Sequence, residues 1–223
     1  MIRLAFRNLF QNKVRLVISV GGVALALLLI LSLDAIFTGV EQQVTAYIDS
    51  SGADIIVAQD GVRNMHMASS SLPNSIRMKV KSVPGVASVT PIWYLTNNVV
   101  YGDERNLAYI IGLPENATMG GPWKIFSGRG QVGKDEAIID RTIAEQSGIK
   151  LGDEVEILGE KFEVVGLSEG TVSLVNSVAF ISKNDFEDLR GSYDTFSFLL
   201  VKVDPAESPQ ANRHSPKCRQ ADC

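Results

Sequence analysis

Residues 19–37 read "SVGGVALALLLILSLDAIF". Three fates fit such a stretch: a removable export signal, a buried core helix, or a permanent membrane anchor. Leu16 to Leu33 carries no charged residue, which reaches the lower end of the roughly 17–25 apolar residues a helix needs to cross a bilayer core. Beyond Asp34 the chain stays uncharged to Val40, so the span is long enough with Asp34 near one interface. A signal peptide has an apolar region of roughly 7–15 residues followed by a small-x-small cleavage site. This run is longer, and "LSLDAIFTG" is a poor site of that kind. A helix in water would be destabilised by Gly21 and Gly22, by about 1 kcal/mol each. In a membrane, Gly21, Gly22, Ala24 and Ala26 give a small-residue surface that suits close packing against another helix. The retained anchor is the reading that fits.

The flanks give the anchor a direction. Arg3, Arg7, Lys13 and Arg15 precede it with no acid among them, whereas Asp34, Glu41, Asp49, Asp54 and Asp60 come before the next base, Arg63. Basic flanks stay in the cytoplasm. The N-terminus is therefore expected inside and everything after about residue 40 outside. Within residues 1–15, Ile2, Ala5, Phe6, Leu9 and Phe10 recur at helical spacing with Arg3 and Arg7 on the flanks. That predicts a cytoplasmic amphipathic elbow lying on the membrane face. The transmembrane helix is assigned to 16–40. Val40, Val44, Tyr47 and Ile48 can share a helical face, so a stalk over 41–52 should continue it and stop near "DSSG", Asp49 to Gly52.

Residues 53–204 show the alternations of an α+β domain. "ADIIVAQ", Ala53 to Gln59, reads as a strand, and Gly61 to Ser75 as an exposed loop. Ser75 to Val83 predicts a helix with Ile76, Val80 and Val83 on its inner face, ended by Pro84-Gly85. "VASVTPIWY" begins a strand, Leu95 to Tyr101 reads as a second, and "LAYIIGL" follows the turn "GDERN". The glycine-containing segments at 120–122 and 127–136 read as surface turns; the latter lacks the Walker spacing of a phosphate loop. Asp140 should cap a helix that carries Ile143 and Ala144 and stops at Gly148. Val155 to Leu167 reads as a hairpin turning at Gly159-Glu160. Ser177 to Ile181 is a strand, Ser182 with Asp185 resembles a capping pair before a helix at Asn184 to Leu189, and Phe196 to Val203 is the last strand. Residues 205–223 are polar, contain prolines and show no period, so disorder is expected there.

Chemistry is hard to find. The formal net charge is -4, which gives no reason to expect nucleic acid. Both cysteines, Cys218 and Cys223, lie in the tail, and the two histidines, His66 and His214, sit in polar, loop-like surroundings. His66 between Met65 and Met67 hints at a soft-metal site, but no other histidine or cysteine in the body could complete a shell. A nucleophilic triad lacks a positioned base. Asp103, Glu104, Asp135, Glu136, Asp153, Glu154 and Glu156 fall at turns or on solvent faces, and Asp34 marks the boundary of the span. Asn116-Ala117-Thr118 matches a glycosylation pattern that is common by chance. No catalytic, cofactor-binding or metal-ligating residue is assigned, no cofactor is expected, and the chain reads as a non-enzyme.

Four segments together resemble the N-terminal half of a MacB/FtsX-type ABC transporter permease, the group with macrolide exporters, lipoprotein-releasing permeases and DevC-like permeases. They are "LAFRNLFQNKVR" before the apolar run, "GADIIVAQ" after it, "VKSVPGVASVTPI", and "GRGQVGKDEAIIDRTIAEQSGIKLGDEVEILGEKFEVVGL". The resemblance covers about residues 1–204. It implies one N-terminal transmembrane helix and a two-lobed extracytoplasmic core domain, MacB-like, at 53–204. One lobe would run from Gly52 to about Leu113 with the returning strand Phe196 to Val203; a β-rich lobe at about 123–182 would be inserted into it. It also implies a permease dimer in the bacterial inner membrane that works with a cytoplasmic ABC ATPase and meets a periplasmic adaptor or lipoprotein. In the family, three more membrane helices follow the outer domain. Their absence here implies a truncated, frameshifted or split permease. The reading set against it is a stand-alone, membrane-anchored binding or scaffold module.

Overall fold

The structure, a computed structural model, describes residues 13–62, 70–173 and 176–204. The amphipathic elbow before Lys13, His66 and its loop, and the tail with His214, Cys218 and Cys223 lie outside those residues. The chain divides into two compact units between Val44 and Thr45.

Helix α1 spans Lys13–Ser50 without a break. Its stretch Lys13–Val40, 28 residues, is long and apolar enough to cross a membrane, and none of it is buried. Apolar side chains emerge on every side of it, Leu25, Leu28, Ile30 and Leu33 among them, and a helix that is apolar all round needs a surrounding other than water. Past Ser50, Gly52 at φ 78° turns the chain.

The second unit is built from β1 (Ile55–Val57), β2 (Leu72–Pro73), α2 (Asn74–Lys81), β3 (Val86–Tyr101), β4 (Glu104–Leu113), β5 (Ile125–Gly128), β6 (Glu136–Asp140), α3 (Arg141–Ser147), β7 (Glu154–Ile157), β8 (Glu160–Ser168), β9 (Val172–Ser173), β10 (Asn176–Ser182), α4 (Lys183–Arg190), β11 (Thr195–Phe196) and β12 (Phe198–Val203). β2 and β11 pair with each other alone, and the other strands join one sheet in the order β1-β12-β3-β4-β10-β6-β8-β5. β7 pairs with both β8 and the far end of β3, through Val99↔Ile157 and Val100↔Glu156. The path β3-β4-β10-β6-β8-β7 therefore closes on itself. On β7, Val155 and Ile157 are buried while Glu154 and Glu156 are exposed. The inside of the ring is thus the face carrying Val99, Ala108, Ile110, Ala137, Ile139, Val164, Ala179 and Ile181, which share one core cluster with Val155 and Ile157. The alternate residues Ile111, Ile138, Val165, Val178 and Phe180 belong to a second cluster, with Tyr47, Ile92, Phe198 and Leu200. Burial on both faces explains why β6, β10 and β12 read as apolar runs.

Several local expectations shift. One continuous strand, β3, replaces the two expected at 86–94 and 95–101. Nothing between Tyr94 and Leu95 breaks an extended chain, and Pro91 lies before the β4 ladder starts at Trp93, where its missing N–H interrupts only one edge. β3 runs through both expected lobes: Val86 to Ile92 pairs with β12, and Trp93 to Tyr101 with β4 and, at its end, β7. β4 in turn pairs in parallel with β10. Through these ladders residues 86–113 pair with residues 156–157 and 177–182. On α2, Ile76 and Val80 pack on the core, but Val83 lies beyond the helix and is 52% exposed. The β7–β8 turn uses Leu158 and Gly159, at φ 57° and 92°, one residue earlier than read. The segment read as a surface turn at 127–136 begins inside β5. There Gly128 and Gly166 let two backbones touch, since a Cβ on Gly166 would sit 2.1 Å from the Arg129 carbonyl oxygen.

The caps match the sequence chemistry. Asp140 caps α3 by accepting from the Thr142 N–H at 2.8 Å, and Gly148 ends that helix at φ 71°. The Ser182 hydroxyl oxygen accepts from the Asp185 N–H at 3.1 Å at the start of α4.

Candidate functional site at the end of the apolar helix

The last turns of α1, from Thr45 on, belong to the folded unit. Tyr47 fixes them there. It is 2% exposed, and its hydroxyl donates to the Gly120 carbonyl at 2.9 Å. Its ring lies 6.2 Å from that of Trp123 at a tilt of 59°. Burial raises the pKa of the phenol, which keeps the donor proton in place. Gly120 returns a bond, its N–H donating to the Ser51 carbonyl at 2.9 Å. Only glycine fits this position: φ is 83°, and a Cβ would meet Leu200 Cδ1 at 2.7 Å. Next, the Asp54 N–H donates to the Val201 carbonyl. The Asp54 carboxylate accepts from the Val203 N–H at 2.9 Å and from Lys202 Nζ at 3.2 Å. Those two bonds, the backbone one first, hold its pKa below the usual carboxylate range. Residues 47–54 are thereby stitched to the 119–123 loop on one side and to β12 on the other.

The remaining polar clusters serve the fold. Asp140 is fully buried; beyond its cap, its second oxygen accepts from the Thr171 N–H at 3.0 Å and the Thr171 hydroxyl at 2.5 Å. Ser168 completes the set, 2.6 Å from the Thr171 hydroxyl and donating to the Ile139 carbonyl. This network ties β6 and α3 to the end of β8. Asp185 accepts from the Asp135 N–H at 3.1 Å and from the Ser182 hydroxyl at 2.7 Å, and burial, the dominant effect, raises its pKa. Glu136 is drawn the other way: burial opposes its charge, but bonds from the Gly133 N–H and Arg129 outweigh it and lower its pKa.

The acids singled out in the sequence do not converge. Asp153 accepts from the Tyr101 hydroxyl and the Lys150 N–H, and Glu154 pairs with Lys161. Among the described residues, no group of three or more His, Cys, Asp or Glu side chains could hold a metal ion. Sequence reasoning noted Tyr47 as a face-sharing residue and missed its partner. The signal available was Gly120-Gly121 beside Trp123, an unusual pairing of small and large residues in a loop.

Comparison with known proteins places this arrangement. An uncharacterised ABC transporter permease of Mycobacterium tuberculosis is 26% identical over 174 residues, covering 78% of this chain and 48% of its own length. One of Methanocaldococcus jannaschii is 24% identical over 220 residues, covering 92% of this chain and 54% of its own. The chain thus spans about half the length of these curated relatives. Two solved structures share the fold. The extracellular domain of the noncanonic ABC-type transporter YknZ from Gram-positive bacteria superposes with a TM-score of 0.53 at 19% identity, over 71% of this chain and 85% of that one. The periplasmic region of MacB from Actinobacillus actinomycetemcomitans gives 0.54 at 17%, over 75% and 83%. The profile of the MacB-like periplasmic core domain matches residues 16–214. An apolar helix continued into a mixed sheet closed by β7, together with that match, shows that the chain belongs to the MacB-like periplasmic core domain family.

Proposed function

We propose that this chain is a non-enzymatic permease subunit, or the N-terminal part of one, in an ABC transporter. A partner ATPase in the cytoplasm hydrolyses ATP, and the permease couples that work to export, or to release of lipoprotein or lipid, across the envelope. The observation that carries the reading is the continuity of α1, Lys13–Ser50. An apolar stretch suited to a bilayer runs without a break into turns that Tyr47 and Gly120 hold in the folded domain. A helix transmits displacement along its axis far better than a loop does, because its backbone bonds are all internal. The basic flank Arg3, Arg7, Lys13 and Arg15 supports a cytoplasmic N-terminus in the inner membrane, with the domain on the far side. Permease pairing through the helix, and an adaptor or lipoprotein on the outer domain, complete the proposal.

The test is affinity purification of the full chain from its own membranes in mild detergent, followed by mass spectrometry and an ATPase assay. Recovery of a nucleotide-hydrolysing subunit, with protease reaching the domain only from the outer side of the membrane, is the expected result. If the chain retains envelope proteins but no ATPase, the transport reading fails and an anchored binding or scaffold module takes its place.

A further inference from the structure

The exposed side of α2 differs in charge from the rest of the chain. Net charge is -4 although residues 1–15 contribute only bases, so the remainder is more acidic still. Within it, α2 carries Arg77, Lys79 and Lys81 and no acid. Among the described residues, none of the three lies within ion-pair distance of a carboxylate. Cations in a last helical turn offset the helix dipole, which accounts for Lys79 and Lys81. It accounts neither for Arg77, one turn earlier, nor for Met78, 67% exposed. With Ile76 and Val80 turned to the core, helical spacing puts Arg77, Met78 and Lys81 together on the outward face.

A cleft of about 220 Å³ opens beside this face, lined by Arg77, Trp93, Lys183, Glu187, Tyr193 and Asp194 among others; Lys183 pairs with Glu187 at 3.3 Å. Trp93 is held rigidly: its indole N–H donates to the Thr195 carbonyl at 2.7 Å, and Lys183 Nζ stands 5.5 Å from its ring centroid. The ring of Tyr193 stands in solvent, 65% exposed. The unpaired cations of α2 match the carboxylates, and the aromatic wall of the cleft the apolar side chains, of a ligand that alternates the two. A flat anionic membrane matches less well. Met78 is the one apolar side chain α2 offers outward, too little apolar surface to enter a bilayer.

We propose that the outward face of α2, with the cleft at Trp93 and Tyr193, is a docking surface for an acidic, apolar-bearing segment of a partner protein. The inference rests on the reading of the domain as the partner-binding part of a permease. The probe is a fluorescent peptide of alternating Glu and Leu, titrated against the full chain in neutral-lipid nanodiscs. Binding should be weakened at least about tenfold by R77E/K81E, and by a smaller factor by M78S. A Gln-Leu peptide should bind at least about tenfold more weakly, and raising the salt should erase the difference. The altered side chains are exposed, so the domain's thermal unfolding should be unchanged; R77Q/K81Q gives the same reading if charge reversal disturbs folding. The proposal is overturned if the variants bind the Glu-Leu peptide as wild type does, or if the Gln-Leu peptide binds equally. It is also overturned if only phosphatidylglycerol vesicles are retained through α2, or if the substitutions act by dissociating two copies of the chain. Recovery of the ATPase subunit with the wild-type chain separates the two proposals: its loss defeats the transport reading, whereas its retention by a wild-type chain that does not bind the Glu-Leu peptide defeats the docking surface alone.

Discussion

Helix α1 and the closed ring are made from much the same side chains and put them to opposite use. Leu28 in the helix is 60% exposed, while Phe180 on β10 is 0% exposed. The ring hides its apolar residues by alternation, one set inside and the other beneath Tyr47, β12 and the 114–132 region. The helix has no polar face to turn outward and so nothing to hide behind. Apolar content alone does not state where a residue goes; its period and the charges around it do. The largest effects should come from treating the two regions alike. Phe180→Ala in the full chain, in mild detergent, should destabilise the domain by about 3–5 kcal/mol. Leu28→Ala should leave its thermal midpoint within the effect of about 0.5 kcal/mol seen at exposed positions. Equal losses in the two variants would mean that α1 is part of a water-soluble core, and the comparison would break.

Glycine sharpens the contrast. An added Cβ at Gly21 would meet nothing within 4 Å, but at Gly166 it would strike the Arg129 carbonyl oxygen at 2.1 Å. The nearest obstacle at Gly166 is backbone, which cannot rotate away. Gly166→Ala should therefore cost about 3 kcal/mol, a fall of roughly 6–12 °C in midpoint at this chain length. Gly21→Ala should not lower the domain's midpoint at all. If Gly166→Ala unfolds at the wild-type temperature, β5 and β8 are not in the close contact described.

These contacts also show what the sequence could and could not tell. Asp140, Gly148, Ser182 and Asp185 were legible because a cap is decided within four residues by a side chain and its own backbone. The β7–β8 hairpin was legible because Val155, Ile157 and Phe162 alternate across a short turn. The closure of the ring was not. Val99↔Ile157 pairs residues whose separation leaves no local trace, and either strand alone would look the same in an open sheet. For the same reason Gly128 read as part of a surface turn and Gly166 as an ordinary position in the returning hairpin strand, with no sign of the backbone each one meets. At the candidate site, Tyr47 shared a helical face with Val40, but its partner Gly120 lies 73 residues away.

Tyr47 is where the helix changes from one behaviour to the other, and it permits a finer test. Its hydroxyl bond to Gly120 is buried, so Tyr47→Phe should cost about 1 kcal/mol, the usual net worth of a hydrogen bond. Tyr47→Ala should cost more, since the packing on Trp123 goes with it. Should Tyr47→Phe leave the midpoint unchanged while Tyr47→Ala lowers it, the ring alone would be the anchor.

The smallest effect expected is a gain. A closed ring needs tight turns, which a continuous helix does not, and the β7–β8 turn is imperfect. Ile157 pairs with Glu160, so Leu158 and Gly159 are the two turn residues, both at positive φ. That geometry suits Asn-Gly. A leucine there bears a left-handed strain of about 1–2 kcal/mol, and the residue is 42% exposed. Leu158→Asn should relieve part of the strain and raise stability by about 0.5–1 kcal/mol, or roughly 1–4 °C. Gly159→Ala, with φ at 92° and no such relief, should lower it. A fall in midpoint for Leu158→Asn would show that the leucine packs on a surface of its own, and that the turn was chosen for contact in spite of its backbone.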